Sequence, residues 1–167
     1  MTDDLGICAW TDGSVMRKGG KRKQNKPTAG WSCFFSLFSP RNGFGRVPSS
    51  SDQTIGAAEL EAIAYCLSVT DPNLDLTIFT DSKYAIHMIN NVTTERQLRS
   101  RRNKFCLKRI QRKIQERQSI YKTKVNLVKI PSHIKEKREK YFRENPEKLQ
   151  MLEAEIKDLK NRYLILG

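Results

Sequence analysis

The order of strand-like and helix-like segments is the feature that most constrains the fold of this 167-residue chain. Three short segments rich in aromatic and branched residues come first, separated by turn residues, which is typical of an antiparallel meander. A helix-periodic segment, an alternating strand, further helical segments, a last strand and a final helix follow. This order predicts an α/β fold, in which helices flank a mixed five-stranded sheet.

The boundaries of these segments can be read from turn residues and hydrophobic periodicity. The predicted strands cover residues 5–11, 29–38, 43–47, 74–80 and 125–130, and the predicted helices cover residues 57–69, 81–90, 102–118 and a last segment from about 146. Apolar residues at 149, 152, 156, 159 and 163 form a stripe on the last helix that must face the sheet or a partner. We therefore predict a single domain over residues 1–167, and the stripe leaves a homodimer through the last helix open.

The charge of the chain is strongly basic, with 31 Lys or Arg against 18 Asp or Glu and a net charge of +13. A basic loop lies within residues 17–26, and ten Lys or Arg fall between residues 96 and 117. Both runs contain almost no acids, which favours contact with a polyanion over a merely solvated face. No membrane-spanning run and no secretory signal is visible, so we expect no membrane association and an intracellular location, in the cytoplasm or nucleus.

Three carboxylates are predicted to gather at one edge of the sheet. Asp12 and Asp81 each follow a strand that ends in Thr, and catalytic groups collect at the carboxyl ends of strands. Each Asp alone is also a good turn former or helix cap. Glu59 lies one step off the apolar stripe of the first helix, whereas Glu61, about 200° further round, is expected at the surface. Because three clustered acids repel one another, we predict bound Mg²⁺ or Mn²⁺, which prefer oxygen ligands.

Four ordered blocks of the sequence resemble those of the type 1 ribonuclease H family. They are AWTDGS at 9–14, AELEAI at 58–63, FTDSKY at 79–84 and IPSH at 130–133, and the match spans residues 5 to about 134. The resemblance implies a ribonuclease H-like sheet of three antiparallel strands continued by parallel strands. It also implies two Mg²⁺ or Mn²⁺ ions and endonucleolytic hydrolysis of the RNA strand of RNA·DNA hybrids by a two-metal mechanism.

The same resemblance assigns roles to individual residues. Asp12 would bridge the two ions, and Glu59 and Asp81 would complete the coordination of the first. His133, after the last strand, would help to deprotonate the attacking water or to release the product. Without the resemblance, a lone histidine at this position would be interpreted as an ordinary loop residue.

The segment after His133 departs from the family pattern, so residues from about 135 to 167 form a divergent C-terminal helical segment. A charged stretch replaces the Gly-rich loop that leads to the fourth metal-binding carboxylate. Glu153, flanked by Leu152 and Ile156, lies on the side of the apolar stripe where the family has this acid and is the first choice. Asp158 is the second choice, and the third is that a fourth ligand is absent.

Contacts with nucleic acid follow from the resemblance and from the basic runs. The predicted binding residues are Ser14, Lys21, Arg22, Lys23, Thr54, Arg99, Arg101, Arg102, Lys108 and Arg109. Family asparagines that touch RNA are replaced by Ile55 and Gly56, which makes double-stranded RNA or a structured junction an alternative target. The sequence is also compatible with a catalytically weakened nucleic-acid-binding module on this fold, and with a nuclease that acts on DNA junctions.

Overall fold

A computed structural model describes residues 6–16, 27–131, 143–147, 150–151 and 154 of the chain. The strands of its sheet are β1 Ile7–Met16, β2 Thr28–Phe34, β3 Gly43–Arg46, β4 Leu76–Thr80 and β5 Val125–Lys129. The helices are α1 Ile55–Val69, α2 Lys83–Asn91, α3 Glu95–Arg99 and α4 Lys104–Glu116, and a π-helical turn Arg117–Tyr121 continues α4. No helix in these ranges is long and apolar enough to cross a membrane.

The five strands form one mixed sheet in the order β3-β2-β1-β4-β5. Strands β3, β2 and β1 pair antiparallel, whereas β4 and β5 continue the sheet in parallel with β1. This confirms the predicted mixed five-stranded sheet. The predicted end of β1 at residue 11 is wrong, because β1 keeps pairing with β2 as far as Met16 after its parallel partner β4 has ended. Asp12 therefore lies within a strand.

Two larger differences from the prediction concern the end of β2 and the helix α3. Strand β2 ends at Phe34 instead of residue 38, because residues 35–42 form turns in which the backbone N–H of Phe35 donates to Asn42 Oδ1 at 2.7 Å. Helix α3 was not predicted. Its signal was a capping box, in which the Thr94 hydroxyl accepts from the Gln97 backbone and the Gln97 side chain reaches back to the backbone of Thr94.

Helix α1 forms the centre of the hydrophobic core on one face of the sheet. It begins after Thr54, whose hydroxyl accepts from the backbone N–H of Ala57 at 3.1 Å. Its apolar face packs in one cluster with buried residues of β1, β2 and β4, and α4 joins this cluster through Leu107 and Ile110. The sheet, α1 and α4 therefore form successive layers of one core.

The end of α1 is held by the buried side chain of Arg117, which is only 2% exposed. Its guanidinium donates hydrogen bonds to the carbonyls of Leu67, Thr70, Asp71 and Leu74, and to the Thr70 hydroxyl at 2.7 Å. The last carbonyls of a helix have no partner within the helix, so a side chain that supplies donors stabilises this end. Burial lowers the pKa of Arg117, yet a guanidinium remains charged at neutral pH.

Replacement of Arg117 by Met is expected to destabilise the protein by about 3 kcal/mol or more, because several buried carbonyls lose their donor together. Urea unfolding at pH 7 measures the change. The matched control is Arg112→Met on the exposed side of α4, which should alter the free energy of unfolding by no more than about 0.5 kcal/mol. Equal losses from the two variants would contradict the role given to Arg117.

Candidate active site

The register of the sheet brings two aspartates to the same point. Strands β1 and β4 are paired as far as Trp10 and Phe79, and the same register carried two residues further places Asp12 beside Asp81. Strand β4 has ended by then, so Asp81 begins the connection to α2. The cap of α2 is Ser82, whose hydroxyl accepts from the backbone N–H of Ala85 at 3.0 Å. The carboxylate of Asp81 is therefore not needed as a helix cap.

Glu59 reaches this point from the second turn of α1, and Gly13 allows the helix to come close. A Cβ atom at position 13 would lie 2.8 Å from the backbone nitrogen of Glu59 and 2.9 Å from the Cβ of Ala58. Any larger residue would push α1 away from β1. Glu59 is consequently only 3% exposed, which places a carboxylate inside the interface between helix and sheet.

The three acids form a tight cluster. One carboxylate oxygen from each of Asp12, Glu59 and Asp81 lies within 4.8 Å of the others. Burial, and after it the negative charges of Asp81 and Asp12, raise the pKa of Glu59 to about 8. The backbone N–H of Gly13 donates to Asp12 Oδ1 at 3.0 Å. The three residues meet as predicted, beside the carboxyl end of β4, although Asp12 lies within β1 and not after it.

One atom of the cluster indicates what is needed to complete it. The Oε2 atom of Glu59 is buried and has no hydrogen-bond partner among the described residues. An unpaired buried carboxylate oxygen is costly unless a cation or a proton meets it. Because the three side chains offer only oxygen atoms, the donor set fits a hard divalent cation such as Mg²⁺ or Mn²⁺. The cluster can therefore hold a metal ion at a position in contact with both β1 and α1.

The predicted nucleic-acid-binding residues lie in different settings. Arg99, Arg101 and Arg102 are exposed, and so is Ser14, two residues beyond Asp12 on β1. The hydroxyl of Thr54 is engaged as the cap of α1. Six predicted site residues lie outside the described residues: Lys21, Arg22, Lys23, His133, Glu153 and Asp158. Most of the predicted last helix also lies outside them, and with it the basis for the predicted homodimer.

Two of the predicted basic residues are paired with acids. Lys108 lies 3.7 Å from Glu95, and both side chains are largely exposed. Arg109 NH2 donates to both carboxylate oxygens of Glu61, at 2.9 and 3.1 Å. Glu61, predicted as an ordinary surface residue, thus links α1 to α4, with a side chain only 15% exposed. Arg109 therefore has a structural role, because its ion pair with Glu61 connects α4 to α1.

Sequence reasoning missed a contact beside the cluster that involves Tyr84. The ring of Tyr84 lies so close to α1 that a Cβ atom at Gly56 would be 2.6 Å from its Cε1 atom. Its hydroxyl accepts from Asn103 Nδ2 at 2.9 Å, which joins the start of α4 to the start of α2. The only signal in the sequence was the glycine in the first turn of a helix, where it lowers helix propensity.

The sheet order and the cluster of acids at its edge define a ribonuclease H-like domain. The family model described as RNase H matches residues 6–145. The chain belongs to the RNase H family, which confirms the resemblance noted in the sequence.

Comparison with solved structures supports the same fold. A foamy viral protease-reverse transcriptase, solved in complex with an RNA/DNA hybrid, is similar with a TM-score of 0.52 and 15% sequence identity. The similarity covers 82% of this chain and 19% of that chain. No curated protein sequence matches this chain.

The stability of the metal-free protein should fall as the pH rises from about 5 to about 8. The pKa of Glu59 is about 8 in the folded state against 4.5 ordinarily, so the folded state keeps a proton that the unfolded state has lost. This stabilisation is complete below the unfolded pKa and disappears as the pH passes the folded pKa; its size is on the order of 4 kcal/mol. Urea unfolding in EDTA at several pH values measures it.

The Glu59→Gln variant should lack this contribution, because an amide does not titrate. The control variant Glu95→Gln changes an exposed glutamate and should retain the wild-type dependence on pH. If Glu59→Gln and the wild type show the same slope, the raised pKa is wrong.

Proposed function

We propose that this chain is a metal-dependent endonuclease that hydrolyses the RNA strand of RNA·DNA hybrids. The observation that carries the proposal is the cluster of Asp12, Glu59 and Asp81 with its unpaired buried oxygen, on a sheet of the RNase H family. The net charge of +13 suits a polyanionic substrate. The hybrid bound to the foamy viral protein supports the substrate class.

The mechanism we propose uses no protein nucleophile. Asp12, Glu59 and Asp81 would hold the Mg²⁺ or Mn²⁺ ions, which would supply the positive charge that activates the attacking water and neutralises the leaving 3′ oxygen. The buried Glu59 holds a proton at neutral pH in the metal-free protein and would release it on becoming a ligand.

Further residues are assigned from the sequence alone. We propose His133 as the group that helps to deprotonate the water or to release the product. Glu153 is the first choice and Asp158 the second for a fourth carboxylate. An intracellular location and a homodimer stay predictions.

The surface we propose for the duplex begins at the start of α4. Asn103 is hydrogen-bonded to Tyr84, which follows Asp81 by three residues, and the exposed Arg101 and Arg102 directly precede Asn103. Phe105 follows on α4 and is 75% exposed, which offers a ring for contact with sugar or base. Such a surface recognises a duplex by its phosphates and shape, while the 2′-hydroxyl groups distinguish RNA from DNA.

A second candidate is a nuclease that acts on double-stranded RNA or on a DNA junction. It is favoured by the start of α1, where Ile55 is 58% exposed and the ring of Tyr84 covers Gly56. These residues offer no side-chain amide to a ribose hydroxyl group. The choice between the two candidates is a matter of which duplex is cut fastest.

Cleavage of a hybrid labelled on its RNA strand tests the proposed function. In millimolar Mg²⁺ or Mn²⁺ the wild type should cut the RNA strand, and EDTA should abolish the cleavage. Asp81→Asn should reduce the rate by at least about 100-fold. The substitution removes a direct metal ligand, and even the loss of a residue that only orients such a ligand is costly. Asp52→Asn, at an exposed position, is the matched control and should retain full activity.

Parallel reactions with double-stranded RNA and a four-way DNA junction separate the candidates. The proposal requires the hybrid to be the fastest substrate. Faster cleavage of another duplex would favour the second candidate. Intact RNA together with tight binding would mean that the domain binds nucleic acid without cutting it.

The salt dependence of hybrid binding tests the proposed surface. If Arg102 contacts one phosphate, Arg102→Gln should reduce the slope of log K against log salt by about 0.9. Lys124→Gln is the matched control, because Lys124 directly precedes β5 and so lies at the end of the parallel strands opposite to Asp81. Its slope should equal that of the wild type. Fluorescence anisotropy between 50 and 300 mM salt, about the range where such slopes are resolved, gives both values.

A further inference from the structure

The start of helix α4 differs from the starts of the three helices before it. The hydroxyls of Thr54, Ser82 and Thr94 accept from backbone N–H groups of α1, α2 and α3. Within the described part of the chain, the N-cap residue of α4, Asn103, makes no such bond with its side chain. Asparagine is among the best capping residues, because its side-chain oxygen can accept from the first turn. The start of α4 therefore lacks a stabilisation that its own N-cap residue could supply.

The side chain of Asn103 binds Tyr84 instead. Its Nδ2 atom donates to the Tyr84 hydroxyl at 2.9 Å. The ring of Tyr84 lies against the first turn of α1, where a Cβ atom at Gly56 would be 2.6 Å from Cε1. Tyr84 is itself the second residue of α2 and follows Asp81 by three residues. The starts of α1, α2 and α4 therefore meet at one tyrosine, close in the chain to a residue of the acid cluster.

A second contact attaches α4 to α1 further along both helices. Arg109 NH2 donates to both carboxylate oxygens of Glu61, at 2.9 and 3.1 Å. On α1, Glu59 lies between Gly56 and Glu61. The buried glutamate of the acid cluster is thus flanked by two points of attachment, one through Tyr84 and one direct. Together these two contacts fix where the start of α4 lies along α1.

The segment that Asn103 anchors is the basic connection between α3 and α4. It consists of residues 100–103, and its Arg101 and Arg102 are exposed. Among the described residues, Asn103 is the only member of this connection whose side chain makes a hydrogen bond. The position of the two arginines relative to the acid cluster therefore depends on the bond between Asn103 and Tyr84.

We propose that Asn103 is a positioning residue of the nuclease. By binding Tyr84 instead of capping α4, it holds the basic connection in a fixed place relative to the acid cluster. This role rests on the proposed function, because the connection is part of the surface assigned above to the duplex. Asn103 needs no contact with substrate or metal in this role. Loss of its bond should leave the acid cluster intact and weaken only the alignment of a bound duplex with it.

Asn103→Ser tests this role through the steady-state kinetics of hybrid cleavage in Mg²⁺. Serine is too short to reach Tyr84 but is a good N-cap, so urea unfolding should show no loss of stability. The KM should rise about three- to tenfold, which corresponds to the loss of one hydrogen bond, while kcat stays within about twofold. A purely structural residue would instead lower the stability and leave the KM of the folded enzyme unchanged.

The matched control is Asn91→Ser, which makes the same chemical change at the other end of α2. The Nδ2 atom of Asn91 donates within the helix, to the carbonyl of His87 at 2.9 Å. Because this bond does not reach α4, the KM and kcat of the control should equal those of the wild type.

Tyr84→Phe distinguishes positioning from a direct contact of Asn103 with the substrate. It removes the hydroxyl and keeps the ring against Gly56, so its KM should rise as much as that of Asn103→Ser. The variant with both substitutions should show no further rise, because each substitution removes the same bond. A direct contact of Asn103 with the duplex would survive in Tyr84→Phe.

The outcomes separate this role from the proposed function. Equal rises in KM in the two single variants and the double variant, with stability retained, support the positioning role. An unchanged KM in either single variant, or effects that multiply in the double variant, would overturn the role while cleavage by the wild type upholds the nuclease. A wild type that cuts no hybrid would overturn the proposed function, and the role of Asn103 with it.

Discussion

The repulsion among three neighbouring carboxylates is the constraint on which the functional account of this domain depends. The sheet places Asp12 and Asp81 side by side, and α1 adds the buried Glu59 within 4.8 Å of them. In a folded protein such an arrangement needs either a retained proton or a cation. The rest of the structure holds the three groups together despite this repulsion.

The close contact between α1 and β1 is the main support of the cluster. Gly13 lets the helix approach the strand, and Thr54 fixes where the helix begins. At the other end of α1, Arg117 binds the last carbonyls, and between the two ends Arg109 binds Glu61. Helix α1 is thus fixed along its whole length, and this fixes the depth at which Glu59 meets the sheet. Stability and the proposed chemistry depend on the same helix.

The sequence was enough to predict the sheet and the three acids, because both depend on local patterns. Alternation and helical spacing indicate the elements, and Asp81 follows its strand directly. The extension of β1 past Asp12 was not predictable, since it depends on pairing with β2. The contacts of Arg117 could not be predicted from the sequence either, because Arg117 lies 43 to 50 residues away from the carbonyls it binds. Such contacts arise only once the chain has folded.

The most direct test of the central claim is calorimetric titration with Mn²⁺ in two buffers of different ionisation enthalpy. At pH 7 the account predicts saturable binding with release of about one proton, because the pKa of Glu59 is about 8 before the ion binds. At pH 9.5 the proton is already lost, so binding should release almost none. The absence of saturable binding would contradict the claim that this cluster is a metal site, and binding without proton release at pH 7 would contradict the raised pKa of Glu59.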